Sequence, residues 1–122
     1  LAATAFGIEV TRQAVKRGVR LTAGTDHVAY GPTSERAQLN EELELYVDSL
    51  GLAPATALLA ATRDAAIALG RVGKDLGTIA PGKSADLVLF SADPLADIRN
   101  LEQVEWVMIR GTRHTPEGLR RQ

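Results

Sequence analysis

The chain has 122 residues, enough for one ordinary domain but short of the roughly 200 that a complete (β/α)₈ barrel needs. Hydrophobic residues make up 45% and charged residues 24%, and the net charge is −1, so wholesale disorder is excluded and neither nucleic acid nor an anionic membrane has an electrostatic claim. Cysteine is absent, which excludes a disulfide scaffold, a zinc–thiolate site and an iron–sulfur cluster.

The chain enters at Leu1 directly into LAATAFGIEV, without a basic n-region and apolar core, and no stretch approaches the roughly 18 apolar residues of a membrane span. The expectation is a segment of a longer cytoplasmic protein. Residues 5–17 read as a helix with a rough apolar stripe of Ala5, Val10, Ala14 and Val15, a basic end, and Gly18 as its stop. Val19, Leu21 and Ala23 then alternate with Arg20 and Thr22, which predicts a short strand running into Gly24-Thr25-Asp26. Helix, glycine, strand is the αβ half of a parallel unit. HVAYGPTS, residues 27–34, reads as a loop, with Ser34 placed to cap a helix over 35–50. Leu39, Leu43, Tyr46, Val47 and Leu50 follow the spacing of one buried face, and Glu41, Glu42 and Glu44 fall mainly elsewhere. Gly51 closes that helix and Pro54 opens the next at its first turn, where a missing N–H costs nothing. Thr62 is placed to cap a further short helix that Gly70 ends.

Beyond Gly70 the apolar period falls towards 2. Residues 76–80 and 85–90 are predicted as the two legs of a hairpin, with Pro81-Gly82 at the centre of a type II turn. Leu87 and Leu89 would share one face and Val88 and Phe90 the other, both apolar and so both covered. A loop over 91–99 with a turn at Asp93-Pro94 leads to a strand over 104–110 that Gly111 breaks. Phe90, Trp106 and Met108 read as core, and the end of the chain as a polar, Arg-rich tail.

The one site-like feature is Asp26, just past a predicted strand whose carboxyl end is where parallel α/β folds meet ligands. A carboxylate there can bind a metal or take a proton from water bound to one; its other reading is a turn or capping residue. His27 either faces substrate or is a solvated loop residue. Tyr30 and Arg36 read as loop packing, and His114 has no assigned role. Lys83 reads as a polar turn residue and Asp86 as a binder of turn amides. The three glutamates read as a solvated helix face rather than a cation site.

In order, GVRLTAGTD, the ELEL helix, LAPATALLAATRDAAIALG, LGTIAPGKSADLVLFSADPLADI and VEWVMIRG resemble the carboxy-terminal part of a metal-dependent amidohydrolase, of the imidazolonepropionase-like and Xaa-Pro-dipeptidase-like kind. The resemblance spans about residues 6–112. It implies an α/β fold: the last part of a (β/α)₈ barrel over 1–70, strands of a small β-sandwich over 71–115, and a polar tail over 116–122. It implies a divalent metal, zinc, and hydrolysis of a C–N bond in a small amide, dipeptide or cyclic amide, with ring deamination also within the superfamily. Asp26 would be the last metal ligand and the catalytic proton carrier, and His27 a substrate contact. The chain departs from the pattern in holding only His27 and His114, with no HxH pair. The site is then incomplete here, and the isolated chain is expected to be inactive and to self-associate through unpaired apolar edges. The alternative is a non-catalytic structural or oligomerisation module derived from that fold.

Overall fold

In the computed structural model, which describes residues 2–25 and 38–120, the chain opens with helix α1 (Ala2–Lys16). Its end is set by Gly18 at φ +84°. The Val19 N–H reaches back to the Ala14 carbonyl (3.1 Å) and the Gly18 N–H to the Val15 carbonyl (2.9 Å). That paired closure needs a left-handed residue, which glycine adopts without a Cβ penalty. The expected apolar stripe is not covered: Ala5 and Val10 are exposed, and Ala14 and Val15 are half-buried. The Arg12 guanidinium ties the helix to the Ser49 carbonyl.

Residues 19–23 correct the first strand expectation, since they form no strand. Alternation favours an extended shape, but a strand exists only with a neighbour to exchange bonds. The described sheet contains no strand from this stretch, and Ala23 N–H bonds instead to the Ala60 carbonyl (3.1 Å).

Helix α2 (Gln38–Asp48) buries Leu43, half-buries Tyr46 and Val47, and is followed by buried Leu50; Leu39, expected on the same face, is exposed. Pro54 starts α3 (Pro54–Ala61), and α4 (Arg63–Ala68) follows after Thr62. Thr62 stands at the cap position but makes no side-chain cap bond; its hydroxyl donates back to the Leu58 carbonyl (2.7 Å). A 3₁₀ turn, Gly70–Gly73, packs so closely on α4 that a Cβ on Gly73 would run into the Ala66 carbonyl.

The predicted hairpin is corrected as well. Residues 76–80 form no strand, and Ile79 is 88% exposed. The turn itself forms, with Lys83 N–H on the Ala80 carbonyl (3.2 Å). Its first leg is held by other means: the Lys83 ammonium donates to the carbonyls of Lys74 (3.0 Å) and Leu76 (3.2 Å), taking up an acceptor that a ladder would use. Strand β1 (Leu87–Phe90) pairs antiparallel with β2 (Val104–Ile109), matching Leu87 to Met108 and Leu89 to Trp106, with an irregularity before Phe90. A third strand, β3 (Thr112–His114), which the sequence reading left within a polar stretch, pairs with the other edge of β2. The two residues between β2 and β3 both take positive φ, Arg110 at 49° and Gly111 at 82°, as a type I′ hairpin turn demands. Leu87 and Leu89 share a face as expected, but the cover expected on both sides is incomplete, with Val88 and Leu89 exposed. Trp106 and Met108, read as core, are half-buried, and the Arg113 guanidinium stands 5.2 Å from the centre of the Trp106 ring.

The buried centre joins α2 and α3 to a 3₁₀ helix, Ile98–Glu102, that begins at the end of the stretch read as loop: Leu43, Ala57, Ile98 and Leu101 cluster, with Phe90 of β1 packed against them. Ile98 is 1% exposed, and burying such a side chain stabilises by about 1.5–3 kcal/mol. Two aspartates shape this stretch. Asp93 accepts from Leu95 N–H (2.8 Å) at the predicted turn, and Asp97 caps the 3₁₀ helix through Arg99 N–H (3.0 Å). The tail carries a short helix, α5 (Pro116–Arg120), whose start is capped by the Thr115 hydroxyl accepting from Gly118 N–H (3.2 Å).

Candidate functional site

Asp26 and His27, the two nominated site residues, lie outside the described residues, as do Tyr30, Ser34 and Arg36. The described residues next to them in the chain are Gly24 and Thr25, beside α2. Gly24 N–H donates to Glu42 Oε1 at 3.1 Å. The Tyr46 hydroxyl donates to the same oxygen at 2.8 Å and lies 3.3 Å from the Thr22 carbonyl. Glu42 and Tyr46 are four residues apart on α2, so their side chains meet on one face of the helix. Burial, and then the carboxylate that its proton serves, push the Tyr46 phenol well above its usual range. The other carboxylate oxygen, Glu42 Oε2, is buried and has no hydrogen-bond partner among the described residues. An open cleft of about 460 Å³ adjoins this cluster, lined by Gly24, Thr25, Gln38, Glu41, Glu42 and Leu45.

Glu42 is therefore more than part of a solvated glutamate run. Its carboxylate fastens the backbone two residues before Asp26 to α2. The signal available in the sequence was Tyr46, one turn further on and able to donate to it.

Among the described residues, no group of three or more His, Cys, Asp or Glu comes together to hold a metal ion. A resident zinc ion needs at least three protein ligands, so these residues do not fit one by themselves. His114 sits in the sheet, paired with Val107.

A second cavity, about 310 Å³, lies between the end of α1 and α3–α4, and its charges are already satisfied. Buried Asp64 accepts from Arg63 Nε (2.9 Å) and Nη2 (3.2 Å), with Arg20 at 3.8 Å. The Arg63 bonds hold its carboxyl below the ordinary range. This is a structural ion pair with no free acid or base to offer. Asp86 and Lys83 behave as read: Asp86 Oδ1 accepts from Arg110 N–H (2.7 Å) in the hairpin turn, and Lys83 ties its own turn.

The profile of the Amidohydrolase family matches residues 4–113. Among curated relatives, ochratoxinase of Aspergillus niger is 32% identical over 90 residues, covering 74% of this chain and 18% of that protein. Imidazolonepropionase of Aromatoleum aromaticum is 55% identical over 47 residues, 38% of this chain and 11% of that protein. Among solved structures, that of a Xaa-Pro dipeptidase with methionine bound in its active site superposes with a TM-score of 0.73 at 30% identity. It covers 88% of this chain and 25% of that one. The chain thus spans a quarter or less of each of these three proteins. Among the described residues, no helix is long and apolar enough to cross a membrane.

Proposed function

This chain belongs to the amidohydrolase family, and we propose that it forms the carboxy-terminal part of a longer, metal-dependent, cytoplasmic hydrolase. The reaction is hydrolysis of a C–N bond in a small amide, dipeptide or cyclic amide. The observation that carries this reading is that the family match runs through Gly24-Thr25-Asp26 and on to residue 113. In the proposed reaction Asp26 takes a proton from the attacking water as the C–O bond forms. It passes that proton to the nitrogen as the C–N bond breaks. His27 faces the substrate. A divalent metal, zinc, supplies Lewis-acid activation in such an enzyme; Asp26 is one ligand, and the others belong to the rest of the longer protein. The isolated chain is inactive in this reading and pairs with itself, and neither nucleic acid nor membrane is a partner.

The test is an assay of the longer protein against N-acyl amino acids, dipeptides and cyclic amides. Turnover of at least one class is expected, lost on chelation and restored by Zn²⁺. A longer protein that folds, binds no metal and hydrolyses none of them would instead be a non-catalytic module. Turnover by the 122-residue chain alone would contradict the incomplete site.

A further inference from the structure

We infer that Glu42 is a positioning residue for the proposed catalytic residue Asp26: its carboxylate fixes the backbone at Gly24, two residues earlier in the chain, against α2. The inference rests on the reading of Asp26 given above. Three observations carry it. Glu42 Oε1 accepts from Gly24 N–H at 3.1 Å, the only bond from α2 to this backbone among the described contacts that involves a carboxylate. The same oxygen is held by the Tyr46 hydroxyl at 2.8 Å, and Tyr46 in turn approaches Thr22, so the clamp grips the segment at two points. The bonds hold against a cost: the other oxygen, Oε2, is buried without a hydrogen-bond partner among the described residues, a penalty that the two bonds to Oε1 offset.

The physical need is plain. Gly24 has no side chain to pack, and the described backbone beside it is held on one side by Ala23 N–H on the Ala60 carbonyl (3.1 Å). The acceptor on α2 adds a second hold, at Gly24 itself. A misplacement of about 1 Å at a reacting group can cost about 10²-fold in rate. Glu42 acts through the backbone, so its loss falls on kcat more than on KM.

The experiment uses the longer enzyme with Glu42→Ala, Glu42→Gln and Asp26→Asn side by side, each checked for folding by circular dichroism. Glu42→Ala is expected to lower kcat by about 10²-fold with KM within about threefold. Glu42→Gln keeps a carbonyl oxygen that can accept from Gly24 N–H, and kcat is expected to stay within about threefold of the parent. Amide hydrogen exchange at Gly24, read independently of activity, should accelerate at least about tenfold in the Ala variant and stay near the parent in the Gln variant. Should Glu42→Ala fail to fold, the Gln variant and its Gly24 amide still decide. Normal kcat in a folded Glu42→Ala enzyme, or a Gln variant as impaired as Ala, overturns the inference while a dead Asp26→Asn leaves the Asp26 reading standing. Full turnover by Asp26→Asn overturns the Asp26 reading itself, and the inference with it.

Discussion

Asp86 shows how much one exposed carboxylate can organise. Its Oδ1 accepts from Arg110 N–H and its Oδ2 from the Ser84 hydroxyl (2.7 Å), joining the segment before β1 to the β2–β3 turn. The Arg110 backbone bond first, and the Ser84 hydroxyl second, hold its pKa below the ordinary carboxylate value. A depressed folded pKa stabilises the fold at pH above the unfolded value, near 4, and that contribution is lost as pH falls through the lower folded value. Asp86→Asn keeps one acceptor oxygen, able to take the Arg110 N–H, and removes the titration. The melting temperature of the parent chain should therefore exceed that of the variant at pH 6, and the gap should close below about pH 4; a gap constant across that range would count against this role. The sequence reading reached Asp86 because an aspartate beside a turn has few other uses. It misjudged Glu42 because three glutamates in one helix look alike in a string, while the fold brings the Glu42 carboxylate to the Gly24 N–H.

At the level of elements, the helices and the strands β1 and β2 were legible, and the pairing of strands was not. The stops at Gly18 and Gly51 and the start at Pro54 are local chemistry, decided within a turn, and each appears where expected. A strand depends on what lies beside it. Residues 19–23 and 76–80 both carry strand-like patterns, and neither forms a strand among the described residues. β1 finds its partner in β2, some fifteen residues downstream, instead of across the Pro81-Gly82 turn. β3 was hidden because Thr112-Arg113-His114 is polar, although Arg110-Gly111 supplies the turn that creates it. The 3₁₀ helix Ile98–Glu102 was hidden for the opposite reason: it is too short to show a period, yet Ile98 and Leu101 bury most deeply outside the long helices.

At the scale of the whole molecule, the chain exposes 8706 Å², against roughly 6,300 Å² expected for a compact folded monomer of its 13.0 kDa mass. Phe6, Ile67, Leu69, Val72 and Ile79 are among the large apolar side chains left more than half exposed. Surfaces of that kind drive association, and in the proposed longer enzyme the remainder of the protein would cover them. Sedimentation of the isolated chain is expected to show dimers or larger species growing with concentration. A monomer across the accessible range would point to an independently folding unit. The central claim is narrower, since it concerns Asp26, and one rate measurement reaches it. In the longer enzyme, Asp26→Asn preserves the size of the side chain but removes the charge and the proton acceptor. With folding unchanged by circular dichroism, kcat for C–N hydrolysis should fall by at least about 10²-fold. Near-normal turnover by a folded Asp26→Asn enzyme would contradict the account.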